Sequence, residues 1–341
     1  MHYIYILCFP IIIYLVNKFI ELNKLLPSLS GEKHQLFVEK INIPLSGGVI
    51  MLVFFFIITD FNFNFFYIFF ILIFFIGFFS DLKIIKSPRL RFLLQLLLIF
   101  LFIIYYDLQI LNLRIFFIDI FLQNKIFSYF FVMFCILIIV NGTNFIDGLN
   151  GLVLGYFFVV LMAVYNLDLL ANVGILKIQT EYFLIFFFYL ILFNLFNKLY
   201  IGDGGSYFLG FIFGVLSILI YRYNVNISPL FIVLLLWYPC FENLFSIIRK
   251  YKFNLSPLAS DNKHFHQLLY YFFKKKASLS NLTSNNLSSL SINLFNFLAI
   301  SIGSIDIFNT QLQIAIVLFN ITIYIILYSR LFNFRFKKKI K

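Results

Sequence analysis

Phe63-Asn-Phe-Phe-Tyr-Ile-Phe-Phe-Ile-Leu-Ile-Phe-Phe-Ile-Gly-Phe-Phe79 runs without a charge into Ser80-Asp81-Leu82-Lys83, and Lys86-Ser-Pro-Arg89-Leu-Arg91 follows. An apolar run of about 17–25 residues is the length that carries a helix across hydrocarbon. The charged stretch after it reads as a loop at a membrane edge. The pattern recurs along the 341 residues, which are 62% hydrophobic and 12% charged. A soluble domain carries about 25% charged residues. The mean hydropathy of +0.99 points the same way. An all-α polytopic membrane protein is expected, because helices satisfy their backbone groups locally where no water can.

Spans centre on Tyr3–Phe19, Leu45–Thr59, Phe63–Phe79, Phe92–Tyr105, Ile126–Val140 and Leu149–Tyr165. They continue at Tyr182–Phe196, Tyr207–Tyr221, Ser228–Phe245, Leu290–Ile305 and Gln311–Leu331. About eleven transmembrane helices are thus expected from run length. The first run, to Ile20, lacks a basic leader and a small-residue cleavage pattern, so it reads as a retained span. With the N-terminus outside, all Lys and Arg except Arg114, Lys125, Lys177 and Arg222 fall on the cytoplasmic side. That bias sets an outside N-terminus and a cytoplasmic C-terminus.

The net charge of +12 follows from the same asymmetry. It argues for a basic tail, Lys337–Lys341, against anionic lipid headgroups. Nucleic acid is not an expected partner, since no basic soluble domain carries the charge. Cys8, Cys135 and Cys240 lie in apolar stretches and form no metal or redox pattern. No internal repeat of the kind that builds many transporters is evident. One membrane-embedded domain over 1–341 is expected. Within it, 246–289 reads as a cytoplasmic loop that carries a histidine motif and then a flexible polar linker, Ser278–Ser289.

Polar residues gather at the cytoplasmic helix ends. Lys33-His34 precede Pro44-Leu-Ser-Gly47-Gly48, which is either a plain turn or a glycine cradle for an anion. Asp81 is one carboxylate among Lys83, Lys86, Arg89 and Arg91. It reads as ordinary loop charge, or as a base or metal ligand that stays ionised beside cations. Asn141, Asn144 and Asp147 recur at three-residue spacing, which puts them on one helical face before Gly148 and Asn150-Gly151. Asp203 in Gly202-Asp-Gly-Gly-Ser206 is either a helix N-cap or an oxygen ligand for Mg²⁺. His264 and His266 are two residues apart, share no helical face and make no zinc pattern; they suit phosphate contacts. Together these groups suit a reaction between anions, in which positioning and charge neutralisation supply most of the catalysis.

The ordered set Ser87-Pro-Arg-Leu-Arg-Phe-Leu-Leu-Gln95, Asn141-Gly-Thr-Asn-Phe-Ile-Asp-Gly-Leu-Asn-Gly-Leu152, Gly202-Asp-Gly-Gly-Ser206 and Asn262-Lys-His-Phe-His266 resembles the polyprenyl-phosphate N-acetylhexosamine-1-phosphate transferase family. This is glycosyltransferase family 4, in the superfamily of the phospho-N-acetylmuramoyl-pentapeptide transferase of peptidoglycan synthesis. The resemblance implies transfer of a sugar-1-phosphate from a UDP-N-acetylhexosamine to a polyprenyl phosphate such as undecaprenyl phosphate. UMP leaves, at the cytoplasmic face of a bacterial inner membrane, and a cell-wall or O-antigen glycan is begun. It implies Mg²⁺, with Mn²⁺ as an alternative, on Asp203 and Asn144. Asp81 and Asp203 are the implied catalytic residues, Asp81 as base or as the carboxylate that positions the lipid phosphate. Lys33, His34, Arg91, Asn141, Asp147, Gly148, Asn150, His264 and His266 are the implied substrate contacts. Self-association into a homodimer is left open. The family usually has paired aspartates at Ser80-Asp81, a second aspartate at Asn150 and a second histidine at Gln267. These departures keep a catalytically impaired relative in view. The pentapeptide-sugar transferase, and in another class a transporter or lipid-sugar flippase, are the alternatives.

Overall fold

The computed structural model describes residues 2–26, 43–58, 65–171, 173, 180–252, 254, 256 and 262–336. Among the described residues the chain forms helices and no strand. They are α1 (His2–Leu22), α2 (Gly47–Ile58), α3 (Phe65–Asp81), α4 (Pro88–Tyr105), α5 (Phe116–Leu122), α6 (Lys125–Ile146) and α7 (Leu152–Asn166). There follow α8 (Thr180–Leu195), α9 (Gly202–Tyr223), α10 (Pro229–Leu235), α11 (Trp237–Lys252), α12 (Phe265–Lys276), α13 (Asn281–Gly303) and α14 (Thr310–Phe336).

Every apolar run read from the sequence overlaps a helix, or at Ser228–Phe245 the pair α10 and α11. Among the described residues, by length and apolarity alone, five helices (α4, α6, α9, α13 and α14) can cross a membrane, or six if α10 and α11 count as one broken span bent by 77°. Helices α3, α7 and α8, and α2 over its residues 47–57, are apolar but shorter. This is the architecture of a polytopic membrane protein.

Helix α9 is the axis. Its residues Gly204 to Ile220 are all buried, and α2, α3 and α6 pack around it. Rings interlock along it: Phe70 with Phe211 at 5.0 Å, Phe55 with Phe208 at 5.3 Å, and Phe157 stacked on Phe213 at 4.2 Å. Between helices in lipid, such van der Waals packing and close backbone approach replace the hydrophobic effect. A very close crossing lies at the start of α9. A Cβ placed on Gly77 of α3 would lie 2.3 Å from the Asp203 carbonyl oxygen, so only glycine lets the two backbones meet there.

The polar stretch expected as a linker is helical. Ser280 caps α13 by accepting from the Thr283 N–H at 3.2 Å, and residues 281–289 are its first turns. The correction has a physical cause. Ser288 and Ser291 donate back to carbonyls one turn earlier, at 2.7 Å each. Asn285, Asn286 and Asn293 are taken up by the ends of α7 and α8. Much of the polarity of α13 is therefore taken up by its own carbonyls and by the neighbouring helix ends. The long loop likewise shrinks, since α11 runs to Lys252 and α12 begins at Phe265.

Candidate active site

Four helix ends meet at one end of the bundle. The last turn of α3 brings Ser80 and Asp81, the first turn of α4 brings Arg91, the last turn of α6 brings Asn144, and the first turn of α9 brings Asp203 and Ser206. Asp203 is the hub. Its Oδ1 accepts from Asn144 Nδ2 at 2.7 Å. Its Oδ2 accepts from Ser80 Oγ and from Arg91 Nη1, each at 2.7 Å. Arg91 Nη1 also reaches Ser80 Oγ at 2.7 Å. Asn144 Nδ2 reaches Ser206 Oγ at 3.0 Å, which ties the amide to α9 a second time.

Asp203 therefore does not cap its own helix. That task falls to Asp81, whose two oxygens accept the N–H groups of Asp203 at 2.9 Å and Gly204 at 3.0 Å. Two orphan donors of a helix N-terminus are satisfied by an anion from another helix. The geometry requires Gly202 to adopt φ +72°, with the Asp81 carboxylate where its Cβ would be. The Asp203 side chain, relieved of capping, stays 29% exposed and Arg91 22% exposed, so a ligand can reach the pair.

Asp147 follows α6 as its C-cap. Burial, and then the neighbouring carboxylates of Asp203 and Asp81, push its carboxyl well above the usual carboxylate range. Gly148 abuts the histidine segment: a Cβ there would lie 2.5 Å from His266 Nε2. His266 is fully buried and its ring lies nearly parallel to that of His264, with centroids 5.7 Å apart. The structure thus brings together Asp81, Arg91, Asn144, Asp147, Asp203 and the two histidines.

Two expected contacts sit deeper. Asn141 donates to Gln95 Oε1 at 3.0 Å. Asn150 is buried, with its side chain on Asn197 and its N–H on Asn285 Oδ1 at 2.8 Å, so it braces the turn into α7. Lys33 and His34 lie outside the described residues. Gln267, where the family usually has histidine, accepts the His264 N–H at 3.3 Å and so caps α12.

Sequence reasoning missed Ser80 and Ser206 as partners of the hub, and also Gln95 and Glu242, each 0% exposed within otherwise apolar runs. A lone polar group in such a run was the available signal.

The donor set fits a hard cation. The carboxylates of Asp81, Asp147 and Asp203 neighbour one another, Arg91 pairs with Asp203, and the nearby neutral donors are amide and hydroxyl oxygens. With Nδ2 of Asn144 spent on Asp203, its Oδ1 is the atom that can join a carboxylate oxygen on a metal. Among the described residues no group of three His, Cys, Asp or Glu is arranged to hold a metal ion. Mg²⁺ needs none, because it binds through one or two carboxylates plus substrate phosphates.

Comparison with known proteins reaches the same residues. The family model for Glycosyl transferase family 4 matches residues 63–221. A probable undecaprenyl-phosphate N-acetylglucosaminyl 1-phosphate transferase of Bacillus subtilis (strain 168) is 34% identical over 143 residues, which is 39% of this chain and 38% of that relative. The chain thus spans well under half the length of the curated relative it matches. The matched stretch, residues 63–221, includes Ser80, Asp81, Arg91, Asn144, Asp147 and Asp203, so it is over the part of the chain that holds these groups that the chain is similar to glycosyl transferase family 4.

Proposed function

We propose that the chain transfers N-acetylhexosamine-1-phosphate from a UDP-sugar to a polyprenyl phosphate, with undecaprenyl phosphate as the natural acceptor and UMP as the leaving group. An oxygen of the lipid phosphate attacks the phosphorus that bears the sugar. A new P–O–P link forms on the lipid, and the link to the uridine-bearing phosphate breaks. The convergence of Asp203, Asn144, Ser80 and Arg91 at one end of the helices carries this reading. A transporter would hold such groups near the midplane.

Asp203 and Asn144 Oδ1 would hold Mg²⁺, which when bound neutralises diphosphate charge. Arg91 is placed to move from Asp203 to an incoming phosphate. Two unit charges 4 Å apart interact by about 4 kcal/mol at an effective dielectric near 20, so each cation matters. Asp81, fixed by two N–H groups, is the carboxylate that orients the lipid phosphate or takes its proton. The histidines and Gly148 border the nucleotide side. The further assignments are an arrangement of eleven spans, an outside N-terminus, a cytoplasmic site and an inner-membrane location. The apolar helices and the Lys and Arg asymmetry support them.

The test is an assay in membranes over a panel of UDP-sugars, scored by lipid-linked product. A UDP-N-acetylhexosamine should be used and a UDP-muramoyl-peptide refused. Asp203→Asn should abolish Mg²⁺-dependent UMP release while membrane insertion survives. Full activity in that variant would remove the metal assignment, and no product with any sugar would remove the transferase reading.

A further inference from the structure

Behind the histidine segment lies a polar face that the reaction above does not use. Glu242, Ser246 and Arg249 follow one another at spacings of four and three on α11, and all are buried. Burying a carboxylate is costly unless it is paired and hydrogen-bonded. Glu242 is 0% exposed and is fully engaged: Oε1 lies 2.9 Å from His264 Nδ1 and accepts the Phe265 N–H at 3.4 Å, while Oε2 accepts the Tyr324 hydroxyl. Arg249 donates to the Lys263 carbonyl at 2.6 Å, and Arg335 to the Asn262 carbonyl at 2.8 Å. The backbone just before His264 is thereby pinned by the two guanidiniums, and just after it by the Phe265 N–H on Glu242.

We infer that Glu242 is the positioning residue of His264: it keeps a proton on Nδ1, fixes the ring plane against His266, and leaves Nε2 as the nitrogen through which His264 meets a phosphate. A buried imidazole N–H needs an acceptor, and a carboxylate itself held on both oxygens fixes which ring nitrogen carries the proton. The hydrogen bond at one nitrogen sets what the other can do. Tyr324 acts one step further back, since its hydroxyl holds Oε2 and so orients the carboxylate. Glu242 does not touch substrate.

For its catalytic readout the inference rests on the transferase reading; its structural readout is independent. The full chain, labelled with ¹⁵N-histidine, contains only four histidines and can be studied in lipid nanodiscs. The wild-type His264 ring should show a protonated Nδ1 in a single tautomer at neutral pH. Glu242→Ala should give averaged tautomers, and kcat/KM should fall about 100-fold. Glu242→Gln keeps an acceptor for Nδ1–H, so it should retain the single tautomer and lose only about tenfold. An unprotonated Nδ1 in the wild-type protein would overturn the inference without any variant. So would a Glu242→Gln or Glu242→Ala protein with wild-type kcat/KM. A fixed ring in a chain that transfers no sugar phosphate would sink the transferase reading and support the placement of Glu242. An averaged ring in an active wild-type enzyme would do the reverse.

Discussion

Asp203 is held on both oxygens by three side chains from three other helices. A hydrogen bond to a charged group contributes about 1.5–3 kcal/mol. Ser80 supplies one of them, in the place where the family usually has a carboxylate. A hydroxyl there donates to Asp203, whereas a second carboxylate would repel it. Ser80→Ala should therefore lower kcat/KM by roughly tenfold or more, measured as UMP release at saturating Mg²⁺. An unchanged rate would mean that Arg91 and Asn144 orient Asp203 unaided. Asp81→Asn should cost at least about two orders of magnitude, in line with a positioned acid–base group. A near-wild-type rate would reduce Asp81 to the cap of α9. The sequence left Asp203 open between helix cap and ligand, because the answer lay in a partner 122 residues away. No local pattern encodes that distance.

At the scale of elements, the start of α9 is positioned by contact with α3 rather than by its own sequence. Gly77 faces the Asp203 carbonyl so closely that a methyl group must push the helices apart. Overpacking of this kind costs about 1–3 kcal/mol. Gly77→Ala should leave insertion intact, lower the melting temperature in detergent, and reduce transfer more than an equally destabilising change far from the site. Leu98→Ala is a suitable reference, since Leu98 is buried in α4. Equal losses would mean that the crossing matters only for stability. The apolar helices were legible because lipid imposes one rule on length and polarity. The first turns of α13, residues 281–289, were not, because their Ser and Asn residues look solvated until the ends of α7 and α8 take up their amides. Helix α11 hid its role for a related reason. It buries Glu242 and Arg249 and exposes Ile248 and Tyr251, at 67% and 81%, a polarity reversed from that of a helix in water.

At the scale of the whole molecule, every group of the site lies where helices begin or end, and α9 connects that end to the other. Twenty-two residues span about 33 Å at about 1.5 Å per residue, close to the thickness of a bilayer core of about 30 Å. Ile84, just past Asp81, and Val225, just past the far end of α9, should therefore sit on opposite sides of the membrane. Both are well exposed, at 66% and 82%. The Lys and Arg asymmetry assigns Ile84 to the cytoplasm. In a chain whose three native cysteines are replaced by serine, an impermeant thiol reagent applied to intact cells should label Val225→Cys and spare Ile84→Cys until the membrane is opened. The sidedness decides more than topology. A water-soluble nucleotide sugar is supplied from the cytoplasm, so a site at the Ile84 end can be charged from there. Labelling of Ile84→Cys in intact cells would put Asp203 and Arg91 on the wrong side of the bilayer for their proposed donor, and the transferase reading would then have no substrate to act on.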